Sequence, residues 1–196
     1  MYKKQMTFQR IVCVAMIIAC AVVFVYSLGL LTDLHDSLRT TIRDPEDLES
    51  TMVKGSRIYY DMQDFNGKFT LYSIFLLLVN LILFVTGTNS RRKYYIGNYI
   101  SVALSTIGNV AMVVWAMPQL MAFRAQYLQI DFEELKKYSE AWKTYYTDST
   151  FTFDVSYAVF GLLMLVTVLL IVNMVLKIIV MKEEQRLIGS RKDVRA

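Results

Sequence analysis

Proline occurs only twice, cysteine twice and histidine once among 196 residues, and each scarcity excludes something. Both cysteines, Cys13 and Cys20, fall in one apolar run. Seven residues apart on a helix, they are separated by about 10 Å along its axis, too far for a disulfide. The long connections contain no cysteine, which counts against four-span folds framed by external disulfides and against thiol oxidoreductases, which need a reactive pair. One histidine cannot make a multi-imidazole zinc site. "TDLHDSLR" does set His35 between Asp33 and Asp36, a grouping that reads as a solvated polar turn before it reads as a metal or acid-base cluster. The HExxH helix, the Gly-rich phosphate loop and the GxSxG turn are all missing, and with them the usual footing for catalysis. No catalytic residue, metal site or cofactor is expected.

Charge is absent from four long stretches. Ile11 to Leu31, Phe69 to Thr88, Tyr94 to Met117 and Val155 to Leu176 contain no Asp, Glu, Lys, Arg or His. Each is long enough to cross a hydrocarbon core of about 30 Å as a helix rising about 1.5 Å per residue. With 55% hydrophobic content and a mean hydropathy of +0.38, the chain is too apolar for an ordinary soluble domain. Buried helices of a soluble bundle would show a polar face at a period of 3.6; "SIFLLLVNLILFV" and "YAVFGLLMLVTVLLIV" show none. "MYKKQMTFQR" before the first run is like the basic start of a secretory signal. The run outlasts a signal's usual apolar core of about 7 to 15 residues, and Ser27 with Gly29 is a poor cleavage site, so a retained anchor is expected. The fold class is an all-α membrane protein forming a single integral domain over 1–196. Its four transmembrane helices lie near 11–31, 69–88, 94–117 and 155–176.

The charges that remain give an orientation. "VTGTNSRRKYYIGNY", residues 85–99, joins the second and third runs and holds three cations and no acid. Together with residues 1–10 and the tail 177–196 it carries 12 basic and 3 acidic residues, whereas the two long connections, 32–68 and 118–154, carry 9 basic and 14 acidic. By the positive-inside rule the basic set is cytoplasmic. Both termini are then expected inside, with two long outer loops. The net charge of +4 reflects orientation and anionic lipid, so no nucleic acid partner is invoked.

The loops carry helix-start chemistry. Asp44, Pro45 and Asp47 predict a short helix near 45–53, with Gly55 available to stop it. Asp131 and Glu134 have capping-box spacing, and Ile130 with Leu135 have staple spacing. They open an amphipathic helix of about four turns, 131–146, whose apolar face is Leu128, Phe132, Leu135, Tyr138, Trp142 and Tyr145. Phe132, Leu135, Tyr138, Trp142 and Tyr145 form a candidate partner-binding face; packing on the first loop or lying on the outer leaflet are the other uses of such a stripe. A displacement of 85 residues pairs Arg39 with Arg124, Tyr60 with Tyr145, Tyr72 with Tyr157 and Phe75 with Phe160. That pattern suits a tandem two-span repeat, and equally the recurrence of aromatic belts wherever a span meets water.

Within the spans there is neither an ionisable residue nor a proline, which argues against a self-sufficient coupled pump. Gly97, Ser101, Ser105 and Asn109 recur every four residues and make a helix-packing seam. Asn80 and Asn109 lie at similar depths in neighbouring spans, so an amide-to-amide bond between them is expected as interhelical glue in preference to a polar permeation path. The function expected is a non-enzymatic accessory or scaffold subunit of a larger membrane transport complex. Its partners are the lipid bilayer and other membrane subunits or further copies. The alternatives are an oligomeric channel or facilitator for a small solute and an outward-facing sensor or ligand-binding module. With no glycosylation sequon and no loop cysteine, a bacterial cytoplasmic membrane is the expected location.

Overall fold

A computed structural model describes residues 2–44, 46, 51–88 and 95–193. Among these the architecture is all-α: α1 Tyr2–Leu38, a 3-10 turn Arg39–Thr41, α2 Ile58–Thr88, α3 Tyr95–Tyr127, α4 Phe132–Trp142 and α5 Phe151–Asp193. α1, α2, α3 and α5 are long and apolar enough to cross a membrane. The chain is accordingly a multi-pass membrane protein in contact with bilayer lipid. The cationic residues 91–93 lie outside the described residues.

The four long helices outrun the charge-free runs inside them. α1 is 37 residues and α5 is 43, about 55 and 65 Å at 1.5 Å per residue. Nothing in 32–38, 58–68 or 177–193 breaks a helix, so the backbone ladder continues into polar sequence. α3 even carries Pro118, beyond the end of the charge-free run.

The 45–53 helix is not seen where the chain is described. Ile42 and Thr51 form an isolated antiparallel bridge, and Met52 N–H donates to Thr41 O at 2.8 Å. That pairing ties the two ends of the loop together and commits Thr51 and Met52 to non-helical hydrogen bonds. Asp44 still acts as a local cap, accepting from Glu46 N–H at 3.0 Å; Pro45 and residues 47–50 lie outside the described residues. Gly55 serves as a turn residue, with φ +86°, a region that costs an L side chain.

α4 is three turns rather than four. Asp131 caps it, its carboxylate accepting from Glu134 N–H at 3.0 Å. Glu134 does not reach back to Asp131; it accepts from Lys54 N–H at 3.2 Å, while Asp131 N–H donates to Lys54 O at 3.1 Å. The helix stops because Lys143 turns left-handed, φ 54°, and Ser139 O takes the Thr144 N–H at 3.1 Å, a Schellman-like ending.

The chain forms two compact units, each with its own core. One comprises Met1–Cys20, Leu76–Val110 and Leu162–Ala196, and is called the terminal half because it holds both chain ends. The other, Ala21–Phe75 with Ala111–Gly161, holds both long connections and is called the loop half. Of the residues matched by the 85-residue displacement, Tyr72 and Tyr157 are both exposed on long helices, at 42% and 57%, whereas Phe75 is 57% exposed and Phe160 3%, and Tyr60 is in α2 whereas Tyr145 follows α4.

Candidate functional site

In the terminal half the buried rows are polar. α1 buries Gln5, Gln9, Cys13, Met16 and Cys20, three or four residues apart and hence on one face. α3 buries Asn98, Ser101, Ser105 and Asn109; α5 buries Thr167, Leu170, Asn173 and Lys177. With no water in a hydrocarbon core, such groups must find partners in the protein.

They do so in two sets. In the first, Ser105 Oγ donates to Asn80 Oδ1 at 2.5 Å and Asn80 Nδ2 donates to Asn109 Oδ1 at 3.4 Å. Asn109 Nδ2 then donates to Thr167 Oγ1 at 2.9 Å and to Met16 Sδ at 3.2 Å. This set joins all four long helices. In the second, Gln5 Nε2 donates to Asn173 Oδ1 and to Gln9 Oε1, each at 3.1 Å, Gln9 Nε2 donates to Gly87 O, and Lys177 Nζ donates to Asn98 Oδ1. Lys177, numbered with the tail by its position in the sequence, is 8% exposed and lies 5.9 Å from the Tyr99 ring centroid. A charge there is held by amide and aromatic neighbours.

Of the residues singled out from the sequence, Asn80, Ser105 and Asn109 share the first set, and Ser101 Oγ accepts from Thr86 Oγ1 at 3.1 Å. Gly97 has nothing within 4 Å of where a Cβ would sit, so it mediates no close approach. The close approach is at Gly87, whose Cβ would lie 2.8 Å from Cys13 Sγ. Gln5, Gln9, Asn98, Asn173 and Lys177 were missed by reading the spans alone. Asn98 and Asn173, as amides inside charge-free runs, carried the same signal as Asn80. Gln5, Gln9 and Lys177 stand outside those runs and carried none.

The loop half is aromatic instead. Phe65 stacks on Phe69 and on Trp115, with centroids 5.5 and 5.3 Å apart, and Tyr26 meets Phe69 and Phe160 edge-on at 6.0 and 6.5 Å. α4 is anchored to this half by Leu135, 1% exposed, by Ser139 and by Ile130, and by the Tyr138 hydroxyl donating to Thr40 O. Phe132 and Tyr138 are half-buried. Trp142 and Tyr145 are 65% and 54% exposed. The apolar stripe therefore divides: Leu128 is 51% exposed, Phe132, Leu135 and Tyr138 pack inward, and Trp142 and Tyr145 face outward.

Asp33 turns away from His35 and Asp36, which stay adjacent. Asp33 accepts from the Thr152 hydroxyl, and His35 packs edge-on against Tyr59 at 5.6 Å with Nδ1 3.4 Å from Asp36. Among the described residues no three His, Cys, Asp or Glu gather as a metal site. The chain matches no family model, no curated protein and no solved structure.

Proposed function

We propose that this protein is a non-enzymatic accessory or scaffold subunit of a larger membrane complex, most simply a transport complex, and that the exposed end of α4 is where a partner subunit docks. The observation that carries the proposal is the exposure of Trp142 and Tyr145, at and just beyond the end of a helix whose start is capped by Asp131 and whose Leu135 and Ser139 are buried. Large aromatics on a preorganised support are where interface energy concentrates, and an anchored helix loses little entropy on binding. In this reading the two long connections, 32–68 and 118–154, are external and both termini are cytoplasmic, following the charge asymmetry.

The hydrogen-bonded sets of the terminal half support a scaffold more than a conduit. Their amides and hydroxyls bond to one another across helices, which fixes helix register and leaves no described buried side-chain nitrogen or oxygen of that half without a partner. A polar conduit needs groups free to solvate what passes. Gentle detergent extraction from native membranes tests the proposal: a membrane subunit should co-purify with the unaltered chain and be lost with Trp142→Ala. Recovery of the chain alone under every gentle condition would end it.

A further inference from the structure

Beyond a docking role, the loop half contains a cleft that the partner surface does not use. It lies between α1 and α2, has a volume of about 340 Å³, and falls in the size range of small-molecule sites. Leu31, Leu34, Leu38, Ile58 and Met62 make its walls apolar, and His35, Tyr59, Gln63 and Asn66 add polar groups. Asn66 is 5% exposed, and its carboxamide oxygen is buried without a hydrogen-bond partner. One turn on, Thr70 Oγ1 is likewise unpartnered. A buried polar atom in that condition costs free energy and asks for a partner.

The lining restricts what that partner can be. It contains no Asp, Glu, Lys or Arg, and its single histidine already faces Asp36. An ion would lose its hydration with no charged lining residue to replace it, and the nearby carboxylates Asp36, Asp61 and Asp64 already face His35, Arg57 and Lys68. A hydroxyl, by contrast, both donates and accepts, and so meets the Asn66 carboxamide in either orientation about its soft terminal torsion. The apolar walls then want a hydrocarbon body. α2 carries Asp61, Asp64 and Lys68 beside the cleft, and its charge-free run begins only at Phe69, so the cleft sits at the level where headgroups and water meet hydrocarbon. We infer that the α1–α2 cleft binds a neutral, hydroxyl-bearing amphiphile, with its hydroxyl at Asn66 and its chain against Leu31, Leu34, Leu38, Ile58 and Met62.

The test uses the full chain in detergent and octanol carrying a photoreactive diazirine. Illumination followed by peptide mapping should give saturable labelling within 31–38 or 58–67, competed by unlabelled octanol. Two variants check the assignment. Asn66→Leu removes the unpartnered amide. Gly67→Leu projects a side chain where nothing lies within 4 Å of a Cβ, which narrows the cleft while improving helix propensity. Each should weaken half-saturation about tenfold, the worth of one good hydrogen bond or of lost space; if Asn66→Leu does not fold, Gly67→Leu decides. A neutral hydroxylated lipid retained in native mass spectrometry by the unaltered chain and absent from Gly67→Leu would assign the ligand to the bilayer. A lipid-free chain that still labels saturably would assign it to a water-borne alcohol. Labelling that never saturates, or that Gly67→Leu leaves unchanged while melting normally, overturns the inference. Loss of the co-purifying subunit with Trp142→Ala bears only on the docking proposal and leaves this result untouched.

Discussion

Gly87→Ala tests the packing of the terminal half at the glycine whose added Cβ would make the shortest contact among the described glycines. The added Cβ would lie 2.8 Å from Cys13 Sγ, 3.4 Å from Gln9 Nε2 and 3.5 Å from Asn98 Nδ2. Carbon contacts relax to about 3.5 to 4.0 Å, so the sulfur must move, and it is buried at 1% exposure with little room to do so. Overpacking of this kind costs about 1 to 3 kcal/mol. Replacing glycine in a helix returns up to about 1 kcal/mol, and less here because Gly87 is the penultimate residue of α2. The net expectation is a loss of about 1 to 2 kcal/mol, read as a lower melting temperature in detergent. Cys13→Ala removes the sulfur and, alone, costs about 1 kcal/mol for the vacated space. Together the two substitutions should compensate, because the new methyl enters the space the sulfur leaves, giving a favourable coupling of about 1 to 2 kcal/mol in a double-mutant cycle. A Gly87→Ala protein that melts at or above the unaltered one, or costs that simply add, would refute the reasoning.

Gly97→Ala should leave the melt unchanged or raise it slightly, since no close approach is made there and alanine is the better helix former; a clear loss of stability would restore a packing role to Gly97. Gly55→Ala should destabilise by about 1 kcal/mol or more, because φ is +86° and a Cβ would meet Ile130 Cα at 3.0 Å and Gln129 O at 3.1 Å, both backbone atoms that cannot swing aside; an unchanged melt would show that the turn re-forms freely. Asn109→Ala should cost about 1 to 3 kcal/mol, with its bonds to Thr167 and Asn80 lost together, and thermal unfolding of the purified chain checks it. Leu135→Ala should cost about 2 to 5 kcal/mol as a truncated buried side chain, whereas Trp142→Ala, at 65% exposure, should hardly move the melt; similar losses from both would place Trp142 in the protein's own core.

The four spans were legible because a bilayer demands about 20 residues without charge, and few other constraints produce such runs. The start of α4 was legible for a local reason: Asp131 three residues before Glu134 is a cap that needs no tertiary context. The true helix lengths were not, because charge-free length measures the hydrocarbon core and is silent on where the backbone stops coiling. Lys177, Gln5 and Gln9 were invisible for the same reason. Their burial depends on which face each helix turns inward beyond the runs, a matter of packing between helices. At the described end of the 45–53 stretch, Thr51 is held by the long-range Ile42–Thr51 bridge, a pairing that no local signal announces. Lys143 in the left-handed region had no sequence mark, since glycine or asparagine is the usual sign of such a helix end.

The docking role of the α4 end is tested most directly by a paired readout on Trp142→Ala in chains extracted gently from native membranes. Ser149, exposed after α4, supplies a cysteine position for an impermeant label, in a background with Cys13 and Cys20 replaced, that reports which side of the membrane the surface faces. The expected results are labelling of Ser149→Cys on intact cells, a stoichiometric membrane subunit recovered with the unaltered chain, and loss of that subunit from Trp142→Ala with the melting temperature preserved. A Trp142→Ala protein that keeps the subunit, or a chain that carries no subunit and instead conducts solute on its own in vesicles, would contradict the docking role.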